Sequence, residues 1–262
     1  MPSYLFQSHQ LAAFTRYLAP DTLFAFDLDG TLAPIVEERS AASIPKPIRN
    51  ALQRLAGLAK VAVITGRSRK DAQSLLGFQP DLLIGNHGAE WPGEEGRNWS
   101  HVQLCLKWRE RLHDHLFQHG VDIEFKGESI ALHYRKTEDP DRALALIYEA
   151  VALLDPPPRL VGGKFVLNLL PGEALGKGDA LALAMERLGC SKAVYFGDDE
   201  TDEEVFRLQR GDVFGVHIGE DRHSAAAYYL NQQSEMLGLL NSMVGILEAA
   251  LEHTDDKEAA ND

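Results

Sequence analysis

Apolar positions follow two rhythms along this chain. Near-continuous apolar runs stand at residues 23–27, 60–65, 81–85 and 192–196. Runs of that length, rich in Val, Ile and Phe, predict strands buried on both faces, as in a parallel sheet. Between them apolar residues recur at helical spacing. Ile48, Leu52, Leu55 and Leu58 follow Pro45 and Pro47, and Pro is tolerated in a first turn. Residues 68–76 and 179–188 predict two further helices. A leading helix at 11–18, a short one at 203–208, late strands at 213–218 and 226–230, and an amphipathic helix at 234–251 complete this series. Strand–helix alternation of this kind implies a parallel sheet with right-handed crossovers.

The rhythm changes in the middle. Residues 91–97 are turn-rich, and 102–118 predict a helix. Strands follow at 122–126 and 130–135 around Gly127, Glu128 and Ser129, then a helix at 140–154. Pro156, Pro157 and Pro158 break it, and strands at 159–161 and 164–169 flank Gly162 and Gly163. Helix, two strands, helix, two strands is a compact unit that interrupts the alternation. The expected fold is therefore α/β: a doubly wound parallel-sheet (Rossmann-like) core from residues 1–98 and 173–262. It carries an inserted α+β domain at 99–172.

Composition narrows the function classes. At 262 residues, 45% hydrophobic and 25% charged, the chain is an ordinary globular sequence. A formal charge of -13 argues against binding nucleic acid through its phosphates. It does not argue against a small phosphorylated substrate, where a local cation and a few basic groups outweigh the global field. Cys105 and Cys190 offer neither metal-ligand spacing nor a disulfide framework, which fits a reducing compartment. The first ten residues lack a signal-peptide pattern, and no apolar run reads as membrane-spanning. A cytoplasmic monomer is expected.

The chemistry gathers at strand ends. Asp27-Leu28-Asp29-Gly30-Thr31 follows the first core strand. Alternation puts Asp27 and Asp29 on one side, and Gly30 lets the chain turn. Two carboxylates at this spacing suit a hard cation such as Mg²⁺, or a nucleophile and a proton carrier. A plain Asp–Gly turn is the competing reading. Thr65 ends the second core strand, where its hydroxyl either contacts a phosphoryl oxygen or begins a helix. Lys177, between Gly176 and Gly178, supplies positive charge. The run 197–202, GDDETD, ends another strand with Asp198 and Asp199. Four carboxylates meeting at the switch point of a doubly wound sheet need a cation.

These elements, in this order, resemble the haloacid-dehalogenase-like phosphohydrolases, whose nucleophile motif DLDGT resembles. Within that superfamily the insert, the 85–90 run GNHGAE, Lys126 before the strand ending His133-Tyr134-Arg135, and Gly163-Lys164 are similar to the trehalose-6-phosphate phosphatases. The resemblance implies an Mg²⁺-dependent hydrolysis of a sugar phosphate through an aspartyl-phosphate. In it Asp27 is the nucleophile, Asp29 the acid and base, and Thr65 and Lys177 the phosphoryl-holding groups. The implied metal ligands are Asp27, the main-chain carbonyl of Asp29, Asp198 and Asp199, with Asp202 auxiliary. The implied substrate contacts are Arg67, His87, Glu90, Lys126, His133, Arg135, Lys164 and Asn168, several of them in an insert acting as a cap. Asn168 departs from the pattern, which has Glu there, so the sugar stays open. The rival readings are a receiver-like phospho-accepting module, a phosphatase for another sugar phosphate, and a binding protein without activity.

Overall fold

The computed structural model describes residues 1–36, 41–93, 99–163, 165–208 and 210–259, with side chains as far as residue 252. The elements run β1 Ser3–Tyr4, α1 Ser8–Thr15, β2 Thr22–Phe26, α2 Lys46–Ala56, β3 Lys60–Ile64, α3 Arg69–Leu76 and β4 Leu82–Ile84. Next come α4 Trp99–Leu116, β5 Asp122–Phe125, β6 Ile130–His133, α5 Pro140–Val151, β7 Arg159–Gly163 and β8 Val166–Leu170. The last are α6 Lys177–Leu188, β9 Lys192–Gly197, α7 Glu203–Phe206, β10 Val213–Ile218, β11 Tyr228–Leu230 and α8 Met236–Ala259.

The seven-stranded sheet has the order β1-β11-β10-β9-β2-β3-β4. Every one of its pairings is parallel. All five residues of β2 are buried. Alternation sends Phe24 and Phe26 to one face with Val61, Val63, Val194 and Phe196, under α2 and α8. Leu23 and Ala25 go to the other face with Ala62, Ile64, Ala193 and Tyr195, under α6. Helices on both faces are what let these strands be apolar throughout. Phe26 and Phe196 stack across β2 and β9 with centroids 4.8 Å apart.

The order of strands fixes where chemistry gathers. The chain leaves β2 toward β3 and β4 on one side. Later it builds β9, β10 and β11 on the other. The switch point therefore lies between β2 and β9, and ligands bind at the strand ends there. Asp27 follows β2 and Asp198 follows β9. The second sheet is antiparallel with the order β5-β6-β8-β7. It shares a third core with α4 and α5, built around Trp108, Leu112, Ile130, Leu132, Ile147 and Leu169.

Several boundaries differ from the sequence reading. β1 was not foreseen: two residues carry too little pattern, and the strand exists by pairing with β11. The leading helix starts and ends three residues earlier, at Ser8–Thr15. β7 continues through Gly162 and Gly163 because both pair with β8. The C-terminal helix runs past Leu251 to Ala259. The stretch Gln233–Glu252, which runs into this helix, is by length and composition long and apolar enough to cross a membrane, against the sequence reading. Its Met236, Leu239, Leu240, Met243, Val244 and Leu247 are nonetheless fully buried in the core.

Candidate active site

The β2–β9 switch point holds a compact charged cluster. Lys177, at the start of α6, is 1% exposed. Its Nζ donates to Asp27 Oδ1 at 2.9 Å and to Asp202 Oδ1 at 2.7 Å. Burial opposes the ammonium, but the two carboxylates outweigh it and raise its pKa. Asp202 is the hub. Its Oδ1 also accepts from the Tyr195 hydroxyl at 2.5 Å, and Oδ2 accepts the backbone N–H groups of Asp198 and Asp199, each at 3.0 Å. Two carboxylate oxygens thus serve four donors, and the loop after β9 folds around them.

Oxygens of Asp27, Asp198 and Asp202 lie within 4.8 Å of one another. Burial, with Asp202 and Asp29 repelling and Lys177 opposing, pushes the Asp27 carboxyl up to about 7. Burial, then Asp27 and Asp202, push Asp198 up to about 9. Such a group does not ionise fully at neutral pH without added positive charge. Asp202 spends its oxygens on Lys177, Tyr195 and the loop, so Asp27 and Asp198 remain to face a cation. An all-oxygen donor set of this kind fits Mg²⁺. Asp198 Oδ1 also accepts from the Thr31 hydroxyl at 3.3 Å. Gly30 takes φ +85°, and a Cβ there would overlap the Asp198 carboxylate. Asp199 is turned differently: its Oδ1 accepts the Glu200 N–H at 2.7 Å, capping the turn that follows.

Asp29, in the turn after β2, is held by Arg67. Thr65 is 1% exposed, and its Oγ1 accepts the Arg67 N–H at 3.2 Å. Beside it stands His87, 7% exposed, in a loop where Asn86 and His87 have φ of +48° and +58°. Consecutive left-handed non-glycine residues are strained and occur where the surroundings dictate them. Gly66 makes room for the ring; a Cβ there would overlap it. Among the described residues neither ring nitrogen finds a hydrogen-bond partner. Burial, reinforced by Lys126 and Lys177, pushes the imidazole pKa well below its usual value.

Lys126, in the turn after β5, and Asn168 of β8 approach from the second sheet. Lys126 Nζ donates to Gly66 O at 2.9 Å and to Asn168 Oδ1 at 3.3 Å. Asn86 Nδ2 donates to Lys126 O at 3.2 Å, and Ser129 Oγ to Asn86 Oδ1 at 3.0 Å. Glu90 accepts from the Arg69 N–H at 2.7 Å and from Asn86 at 3.2 Å, so it braces this loop. Farther along, Arg159 of β7 pairs with Glu204 of α7 at 3.1 Å, and Glu204 accepts the Lys177 N–H at 2.8 Å. The structure does not bring every expected substrate group to this cluster. His133 pairs with Glu124 on the neighbouring strand at 2.8 Å, and Arg135 lies over the Phe165 ring. Lys164 lies outside the described residues.

Over residues 25–234 the sequence matches the family described as trehalose-phosphatase. The chain belongs to the trehalose-phosphatase family. A relative in Arabidopsis thaliana, probable trehalose-phosphate phosphatase D, is 28% identical over an alignment of 247 residues that covers 83% of this chain and 66% of that protein. An uncharacterized glycosyl hydrolase of Mycobacterium tuberculosis is 31% identical over 252 residues, 87% of this chain but 19% of that protein. The chain thus spans about two thirds or less of the length of these relatives. The C-terminal domain of Candida albicans trehalose-6-phosphate phosphatase shares the fold. Its TM-score is 0.73 at 22% identity, over 93% of this chain and 98% of that one.

For this trehalose-phosphatase family member, sequence reasoning missed Tyr195, Glu204, Arg159 and Asn86. Tyr195 sits in an apolar run and reads as core. Glu204 and Arg159 meet from elements 45 residues apart. Asn86 alone had a local signal: an Asn-His-Gly run after a strand is where left-handed backbone is tolerated.

Proposed function

We propose that this chain is an Mg²⁺-dependent phosphatase acting on a sugar phosphate, with trehalose 6-phosphate the first substrate to test. The observation that carries the reading is Lys177, buried between Asp27 and Asp202 at the sheet's switch point. A structural ion pair needs one partner. A lysine shared between a strand-end carboxylate and a fully engaged one keeps Asp27 aimed and ready to receive a phosphoryl group.

Asp27, Asp198 and the Asp29 main-chain carbonyl would hold Mg²⁺, which when bound neutralises negative charge around the phosphoryl group. Asp27 attacks phosphorus, and the bond from phosphorus to the sugar oxygen breaks. Asp29 gives that oxygen a proton, then takes one from the water that releases phosphate from Asp27. Thr65 and Lys177 hold phosphoryl oxygens. Lys126, Asn168 and the neutral ring of His87 offer hydrogen bonds to sugar hydroxyls from both sides of the cleft. Asn168 and Lys126 are already paired there, and an amide keeps hydrogen bonding without a charge. Two buried, unpaired cysteines support a reducing, cytoplasmic setting.

The test is phosphate release from a panel of sugar phosphates with and without Mg²⁺. The reading expects Mg²⁺-dependent turnover that is highest for one sugar phosphate. It also expects Asn168→Glu to change the ranking among sugars while leaving p-nitrophenyl phosphate hydrolysis alone. No turnover on any phosphate ester with Mg²⁺ present would favour the binding-protein or receiver-like readings.

A further inference from the structure

Asp29 is held neither by the cation-facing pair nor by Lys177. Arg67, in the turn after β3, donates from Nε to Asp29 Oδ2 at 2.6 Å and from Nη2 to Oδ1 at 2.7 Å. Two parallel charge-assisted bonds fix the plane of a carboxylate as well as its position. Nη1 donates to Asp71 Oδ2 at 2.8 Å, in the first turn of α3, whose start Ser68 caps. All three guanidinium nitrogens therefore face carboxylates. The Arg67 side chain is 2% exposed and that of Asp29 is 38%. An anchored, buried arginine holding a solvent-facing acid is built to orient that acid. The charge and hydrogen bonds of Asp29 and Asp71 raise the Arg67 pKa against the cost of its burial.

We propose that Arg67 is a positioning residue for proton transfer and not a contact to the substrate, the role the family resemblance implied for it. It aims Asp29 at the sugar oxygen in the first step and at the attacking water in the second. Asp71 anchors the guanidinium when Asp29 carries its proton and one of the two bonds opens. The inference rests on the reading of Asp29 as acid and base given above.

The test uses two substrates and a burst experiment. With p-nitrophenyl phosphate the leaving group needs no proton, so Asp27 can still be phosphorylated when Asp29 is misaimed, while release from Asp27 is slow. Arg67→Ala and Arg67→Lys should then release p-nitrophenolate in a burst of one equivalent per active site, followed by slow turnover. On the sugar phosphate, kcat should fall about 10²-fold, the usual consequence of misplacing a reacting group, with KM nearly unchanged. Asp29→Asn should give the same signature, and Arg67→Ala added to it should cost nothing more. A raised KM on both substrates without a burst, or additive losses in the double variant, would make Arg67 a substrate-binding group and overturn the proposal. If Asp29→Asn itself shows no burst, the reading of Asp29 fails first, and the failure is visible as such. Should the Arg67 variants not fold, Asp71→Asn at a half-exposed position carries the test. A weaker burst there supports the proposal, and unchanged kinetics overturn it.

Discussion

Two aspartates share one lysine, yet they should respond oppositely to the same substitution. Asp27 is buried among like charges, and its carboxyl is pushed up to about 7. Asn in its place removes a repulsive group from a crowded site. Asp27→Asn is therefore expected to abolish phosphate release while the metal-free melting temperature stays level or rises. A folded variant with near-normal turnover would move the nucleophile elsewhere. Asp202 is fully buried and accepts from Lys177, Tyr195 and two backbone N–H groups. An amide offers one oxygen for these and turns an NH₂ toward the other donors. Breaking a buried pair costs about 3–5 kcal/mol, so Asp202→Asn should lose stability on that scale. Urea denaturation at neutral pH checks it, and a loss below about 1 kcal/mol would show that the hub is replaceable.

At the scale of elements, the site depends on how closely the turn after β2 approaches the loop after β9. Gly30 is the contact point, with φ +85° and the Asp198 carboxylate where a Cβ would go. Gly30→Ala should cost about 1–2 kcal/mol for the left-handed backbone alone. It should also displace Asp198 and so raise the Mg²⁺ concentration needed for half-maximal turnover. An unaltered magnesium titration would separate Asp198 from the cation site. The acids of these turns were legible in the sequence because an apolar run ending in Asp has few structural explanations. The strands themselves were legible for the same reason, being buried on both faces. What stayed hidden is pairing. Lys177 and Asp27 are 150 residues apart, and Arg67 and Asp29 are 38 apart. No periodicity encodes such meetings, so neither the Arg67–Asp29 pair nor the four donors gathered on Asp202 could be read from the sequence. The contacts of His133 with Glu124 and of Arg135 with the Phe165 ring were equally hidden, because a polar strand end looks the same in sequence whatever it faces.

At the scale of the whole molecule, the two sheets meet over the charged cluster, and its charge state is linked to folding. Lys126 on Gly66, Ser129 on Asn86 and Arg159 on Glu204 tie the second sheet to the first. Beneath them Asp27 and Asp198 bind protons more tightly in the folded, metal-free protein than in the unfolded chain, since burial raises both above 3.8. Where the native state binds more protons, stability falls as pH rises. Their contribution is fully present below about pH 4 and is lost as pH climbs through about 7 and about 9, the folded values. Mg²⁺ competes with those protons: at low pH it must displace them, and at high pH it meets carboxylates that already repel each other. Ligand binding to the native state alone raises its stability, by more where the affinity is greater. The melting-temperature increment on adding saturating Mg²⁺ should therefore be small near pH 5 and grow steadily toward pH 9, and it should largely vanish in Asp198→Ala. Comparing melting temperatures with and without metal at each pH cancels the titrating groups whose proton affinity the metal does not change. An increment that does not vary with pH, or that survives in Asp198→Ala, would place the cation away from this pair of carboxylates.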